Sequence, residues 1–120
     1  MKKLLFAVSV IFLFAALSSA LAQSKMATGK FSASSTSQGY TLDKNTGERS
    51  HLIEITFPKP FDSKPTVVLG VTMVDADKGS NVRFSVEPVS ISRDGFTVKI
   101  STWGDTKVYG LGGSWMAYSE

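Results

Sequence analysis

Phe96, Val98 and Ile100 alternate with Thr97, Lys99 and Ser101. A period of two places the apolar side chains on one face of an extended chain, which predicts a half-buried strand. The same alternation runs through Ile53, Ile55 and Phe57 against Glu54 and Thr56, and through Val82, Phe84 and Val86 against Arg83, Ser85 and Glu87. Thr66 to Val74, TVVLGVTMV, is apolar almost throughout. No stretch after the first 22 residues carries a 3.6-residue period with caps. Punctuation agrees: Pro58, Pro60 and Pro65 bracket one turn region, Gly79 sits in DADKGSN, and Asp94-Gly95 signals a hairpin between Ile91 and Phe96.

Strands are therefore predicted near 30–36, 51–57, 66–75, 82–91, 95–103 and 107–118. Short strands at near-regular spacing predict an all-β protein, a six-stranded antiparallel β-sandwich forming one domain. The first strand, FSASST, is Ser-rich and fits a flexible arm equally well, and Gln38 to Ser50 reads as a polar loop. In the fourth strand the apolar phase shifts across Pro88, which suggests a bulge or a bend on a sheet edge.

The amino terminus follows a different logic. Lys2 and Lys3 precede the apolar run Leu4 to Leu17, and SSALA closes it with small residues at Ala20 and Ala22. This pattern predicts a secretory signal peptide over residues 1–22, cut before Gln23, and a domain over 23–120. The apolar run is shorter than the roughly 20 residues that span a bilayer, and none of spanning length follows. A secreted, extracellular product with no membrane span after cleavage is expected.

Without Lys2 and Lys3 the 13 basic residues of the chain fall to 11 against 10 acidic ones. The remaining charge is close to neutral and contains no basic run, so nothing predicts nucleic-acid binding. Zero cysteines and one histidine, His51, remove cysteine catalysis, thiolate metal sites and paired-histidine ligand sets. His51 reads as a packing or surface residue. Asp75, Asp77 and Asn81 are spaced faintly like a calcium loop, but Gly79 is at the fifth position and no glutamate occupies the twelfth. That segment reads as a solvated turn, and no metal or cofactor is assigned. Nor is an enzyme expected: glycosidic chemistry wants two carboxylates across a cleft, and Glu54, Asp75 and Glu87 fall on separate strands.

Candidate binding residues emerge from the phase of the last two strands. A two-residue hairpin at Gly104-Asp105 would aim Lys107 into the core. A three-residue loop, Gly104 to Thr106, pairs Trp103 with Lys107 and Ser101 with Tyr109, and leaves Val108 opposite Thr102 on the inner side. This register keeps the lysine wet and places Trp103 and Tyr109 together on the outer face, with Asp105 shaping the loop. An exposed indole and phenol offer flat apolar faces with polar tips, which suit the C–H face of a sugar ring. Arg83 also lies off the inward phase of its strand, and its fork of donors can hold sugar hydroxyls. The plainer readings are a solvated arginine and a tryptophan used in packing or at an interface. Tyr109, Leu111 and Trp115 share the nominal outer parity, a hydrophobic stripe that either a contact with another copy, as in a trimer, or a second sheet or loop folded over it would cover.

The segment Val82 to Tyr118, VRFSVEPVSISRDGFTVKISTWGDTKVYGLGGSWMAY, resembles the H-type lectins, galactose and N-acetylgalactosamine binders typified by snail agglutinins and the carboxyl-terminal domain of discoidins. IEITFPKPFDSKPTVVLGVTMVD resembles the upstream half of the same domain. The match covers roughly Arg49 to Tyr118 and includes PF…P, the GF before the fifth strand, the TW at its end and the closing SW. It implies a six-stranded sandwich assembled as a homotrimer or homohexamer that recognises glycans of glycoproteins or glycolipids at sites between subunits. The binding arginine, tryptophan and tyrosine of the family fall on Arg83, Trp103 and Tyr109. Gly104 stands where some members carry a histidine, so one hydroxyl partner is absent. The acidic residue that the family lends from a neighbouring protomer falls at Thr46 in an ungapped match. Asp43 is preferred, since an ionised carboxylate accepts two hydroxyl bonds. The alternative is a structural or adhesin-like module that uses its aromatic stripe only for assembly.

Overall fold

The computed structural model describes residues 25–120. The expected leader and its cleavage point before Gln23 lie outside the described residues. Six strands follow in order: β1 Met26–Ser34, β2 Arg49–Thr56, β3 Thr66–Ala76, β4 Phe84–Val89, β5 Gly95–Thr102 and β6 Val108–Tyr118. They form two three-stranded antiparallel sheets, β1-β6-β3 and β2-β5-β4. The architecture is the β-sandwich expected from the alternation. Among the described residues no helix is long and apolar enough to cross a membrane.

The two central strands explain the core. β5 buries Phe96, Val98 and Ile100 while Thr97 and Lys99 stay half-exposed, the period of two read directly from the sequence. β6 buries Val108, Leu111, Trp115 and Ala117 from the other sheet. Trp115 meets the rings of Phe57 and Phe96 with centroids 5.8 and 5.5 Å away, and Phe61 packs edge-on to Phe57 at 4.9 Å. Offset and edge-on ring pairs such as these contribute roughly 0.5–1.5 kcal/mol each beyond the burial of their area.

The Ser-rich first segment is a strand and not a flexible arm, but only as far as Ser34; Ser35 and Thr36 lie in the turn that follows. It begins earlier than expected, at Met26, because each residue from Met26 to Ser34 finds a partner on β6. The fourth strand is shorter than expected, Phe84–Val89. It lies on a sheet edge, where Pro88 is tolerated, but its register against β5 runs from Phe84 to Val89 with no bulge. The positive φ of Ser90, 52°, turns the chain out of the strand and into the Asp94-Gly95 hairpin.

Two expectations about the last strands are corrected. β5 and β6 are not a hairpin: they sit at the centres of different sheets, so Trp103 does not pair with Lys107, nor Ser101 with Tyr109. Residues 103–107 carry the chain from one sheet to the other. The supposed outer stripe does not exist either. Against β3, Asp75 pairs with Gly110 and Ala76 with Val108, which leaves Tyr109 as an extra residue in β6. That bulge reverses the parity. Tyr109 points to solvent, whereas Leu111 and Trp115 turn into the core, 0% and 7% exposed. An assembly role for Tyr109, Leu111 and Trp115 as one stripe is thereby removed.

Gly113 sits at a close approach of β6 to both β3 and the Phe31 ring. A Cβ there would collide with the Gly70 carbonyl oxygen and, at 2.7 Å, with the Phe31 ring, whereas one on Gly70 would meet nothing within 4 Å. Gly113→Ala is therefore expected to lower unfolding free energy by about 1–3 kcal/mol in denaturant titration, the usual cost of overpacking. Gly70→Ala should leave the unfolding free energy within about 0.5 kcal/mol of the parent.

Candidate functional site

The five residues between β5 and β6 have no strand beside them, so their polar groups must find partners elsewhere. Thr102 and Thr106, both fully buried, bracket the crossing. The Thr102 hydroxyl donates to the Arg83 carbonyl at 2.6 Å, and the Thr106 hydroxyl accepts from the Arg83 N–H at 3.1 Å while donating to the Asn81 carbonyl at 2.5 Å. Between the threonines, Trp103 and Asp105 are exposed and Gly104 turns the backbone with φ +68°.

The Arg83 guanidinium lies across this turn. Its Nη1 pairs with Asp105 Oδ1 at 3.0 Å, and a Cβ built on Gly104 would approach the same nitrogen to 3.0 Å. The absence of a side chain at Gly104 thus leaves room for the arginine over the turn that follows Trp103. Both members of the ion pair are well exposed, 39% and 62%, so the pair contributes little to stability. Its effect is to orient a fork of donors.

Arg83 is therefore brought to Gly104, the residue that follows Trp103 in the chain. Trp103 is 43% and Tyr109 39% exposed, large values for aromatic side chains in a small domain, and Tyr109 stands at the far end of the crossing. The outward placement expected from the sequence holds, although the bulge and the change of sheet produce it instead of a hairpin register. Asp43 is placed differently. It lies in the β1–β2 loop with Oδ1 buried and without a hydrogen-bond partner, and its charge bears on Tyr40. One of its carboxylate oxygens is thus committed to the interior of its own protomer.

The loop that holds Asp43 is less polar inside than its sequence suggests. Tyr40 and Leu42 are core residues, and the Tyr40 hydroxyl donates to the Val108 carbonyl at 2.6 Å. Burial, reinforced by the carboxylates of Asp43 and Asp75, pushes the phenol pKa up to about 12. Arg49 is 7% exposed and has carbonyls for partners. Its Nε reaches Gly47, Nη1 reaches Lys44 and Leu42, and Nη2 reaches Gly104, at 2.8–3.4 Å. Together with the bonds Gly47 N–H to Gly104 and Val108 N–H to Leu42, it ties the β1–β2 loop to the crossing. A single arginine in a polar loop gives no sequence signal for this. Asp105, Thr102 and Thr106 also escape a sequence reading, because small polar residues around a glycine look like ordinary turn formers.

Electrostatics and cavities narrow what the site can do. Among the described residues no group of three or more His, Cys, Asp or Glu side chains is placed to hold a metal. A broad groove of about 490 Å³ runs between Thr28, Lys30, Val68, Gly70, Ser114 and Met116 on the β1-β6-β3 sheet, and contains none of the five candidate residues. The crossing, by contrast, exposes Trp103 and carries the donors of Arg83 over Gly104.

A sequence model of the H-type lectin domain matches residues 52–118, more than half of the chain. The chain belongs to the H-type lectin family. Its relatives include the ORF 7 product of the ATP synthase subunits region of Fuscovulum blasticum, 35% identical over 71 residues, which cover 59% of this chain and 62% of that one. Discoidin-2 of Dictyostelium discoideum is 36% identical over 73 residues, 59% of this chain and 28% of its own. Among solved structures, recombinant discoidin II of the same organism superposes with a TM-score of 0.66 at 26% identity, over 79% of this chain and 38% of that one. The chain thus spans well under half the length of the discoidin and under two thirds of the Fuscovulum protein. In this H-type lectin domain the matched region contains Arg83, Trp103, Gly104 and Tyr109, and Asp43 precedes it.

His51, on β2, packs against Tyr40 with ring centroids 5.3 Å apart, and burial lowers its pKa below 6.5. A lowered folded value means that the neutral ring favours the fold. Its contribution is complete above the unfolded value of about 6.5 and is lost as pH falls through the folded value. Chemical denaturation midpoints should therefore decline as pH falls below about 6.5. His51→Gln should flatten the part of that decline that lies above the carboxylate range.

Proposed function

We propose that this H-type lectin domain is a carbohydrate-binding protein that recognises galactose or N-acetylgalactosamine on glycans of glycoproteins or glycolipids. The observation that carries the reading is the exposed Trp103 indole with the Arg83 guanidinium held over the adjoining Gly104. The indole supplies an apolar plane for the C–H face of a pyranose, and the guanidinium supplies charge-assisted donors worth roughly 1.5–3 kcal/mol each. Tyr109 adds a second ring and a hydroxyl. Gly104 contributes space instead of a hydrogen bond, and Asp43 offers its remaining carboxylate oxygen to a neighbouring protomer. The reading is of a binding protein with no catalytic step, cofactor or metal.

Multivalency follows from weak single sites. A shallow polar site exchanges water bonds for protein bonds with modest gain, and three or six linked sites raise avidity by about 10² to 10⁴ on a densely glycosylated surface. A homotrimer or homohexamer with sites at subunit boundaries fits that need. Val68, Val71 and Met73 on β3 leave apolar surface that such contacts can cover. The leader expected over residues 1–22 would deliver the domain outside the cell, where glycans are displayed.

A glycan array on the purified domain, read beside its solution mass, tests the reading. Galactose-type signals and a mass of three or six chains are expected. Trp103→Ala and Arg83→Ala should each weaken binding at least about tenfold while shifting stability by no more than about 0.5 kcal/mol, as surface substitutions do. Binding that survives both substitutions would contradict the assignment.

A further inference from the structure

Arg83 precedes the β4 ladder, which begins at Phe84 opposite Thr102. Its backbone is nevertheless held on both sides. Its carbonyl accepts from Thr102 Oγ1 and its N–H donates to Thr106 Oγ1, while its guanidinium pairs with Asp105. All three partners belong to the segment Thr102–Thr106, the one that displays Trp103. Both threonine side chains are fully buried, so their hydroxyls bond within the protein: Thr102 to Arg83, and Thr106 to Arg83 and Asn81.

From this arrangement we infer that Thr106, with Thr102, is a positioning residue for carbohydrate binding: the two hydroxyls clamp the backbone of Arg83 to the turn that carries Trp103. The inference rests on the lectin reading and assigns the site a supporting layer beneath the ligand surface. The physical reason is preorganisation. An arginine on a loop can sample many directions, and a ligand that has to order it loses affinity. Fixing Cα of residue 83 relative to the indole leaves only the side chain to settle, and the Asp105 carboxylate settles that. Thr106 also joins Asn81 to the same point, so the approach to Arg83 is fixed on its amino-terminal side. Valine has nearly the shape of threonine without the hydroxyl, and would leave the Arg83 N–H and the Asn81 carbonyl without this partner.

The experiment compares Thr106→Val with Thr106→Ser in the full-length protein. It measures thermal stability, affinity for N-acetylgalactosamine by titration calorimetry, and the Arg83 Nε–H signal by NMR. Thr106→Val should weaken sugar affinity about 5- to 30-fold and move the Arg83 signal toward the position of a free arginine. Thr106→Ser, which keeps the oxygen, should restore both. If the valine protein does not fold, Thr102→Val and Thr102→Ser provide the same comparison from the other side of Arg83. A lower melting temperature with unchanged affinity would overturn the inference, and so would a serine variant that restores nothing. Should the parent bind no galactose-type sugar, the lectin reading fails by itself. The clamp would then be decided by the NMR signal, and an unchanged Arg83 signal in the valine protein would overturn it.

Discussion

The chain must leave one sheet at Thr102 and enter the other at Val108, and for five residues between them no ladder satisfies its polar groups. The rest of the site depends on how that need is met. Two buried threonine hydroxyls bind the strand edge at Asn81 and Arg83, and one buried arginine, Arg49, binds the β1–β2 loop through carbonyls. Polar groups that are both buried and fully partnered specify a single geometry more strongly than apolar packing does. The crossing is therefore rigid, and Trp103 stands on a fixed base.

Beneath it, the core works without covalent staples. The chain has no cysteine, so cohesion comes from the ring cluster of Phe57, Phe61, Phe96 and Trp115 and from the aliphatic residues of β5 and β6. Glycines in β6 let the strands and sheets close over that cluster, most tightly at Gly113 beside Phe31. The same strand that supplies Trp115 to the core supplies Tyr109 to the surface, and the bulge between them separates the two tasks.

Much of this is legible in the sequence. Alternation in β2 and β5, the Asp94-Gly95 turn and the prolines around Phe61 are enough for six strands and a sandwich, because period and punctuation are local properties. The register of the last two strands is not legible. A glycine-aspartate turn between two apolar strands looks like a hairpin, and only the competition of β5 and β6 for different neighbours shows that they part. Parity counting then fails at Tyr109, since a single inserted residue inverts every side chain beyond it. The outward positions of Arg83, Trp103 and Tyr109 survive that failure. Tyr40, Leu42 and Arg49 are hidden in a polar stretch whose inward contacts reach strands far along the chain.

The two tryptophans make a direct measurement possible, for one is exposed beside Arg83 and the other is buried among phenylalanines. Indole N–H resonances followed by ¹⁵N NMR during titration with N-acetylgalactosamine would report on each separately. A saturable shift of the Trp103 signal with a stationary Trp115 signal is the result expected. A Trp103 signal that stays fixed at saturating sugar would contradict the account.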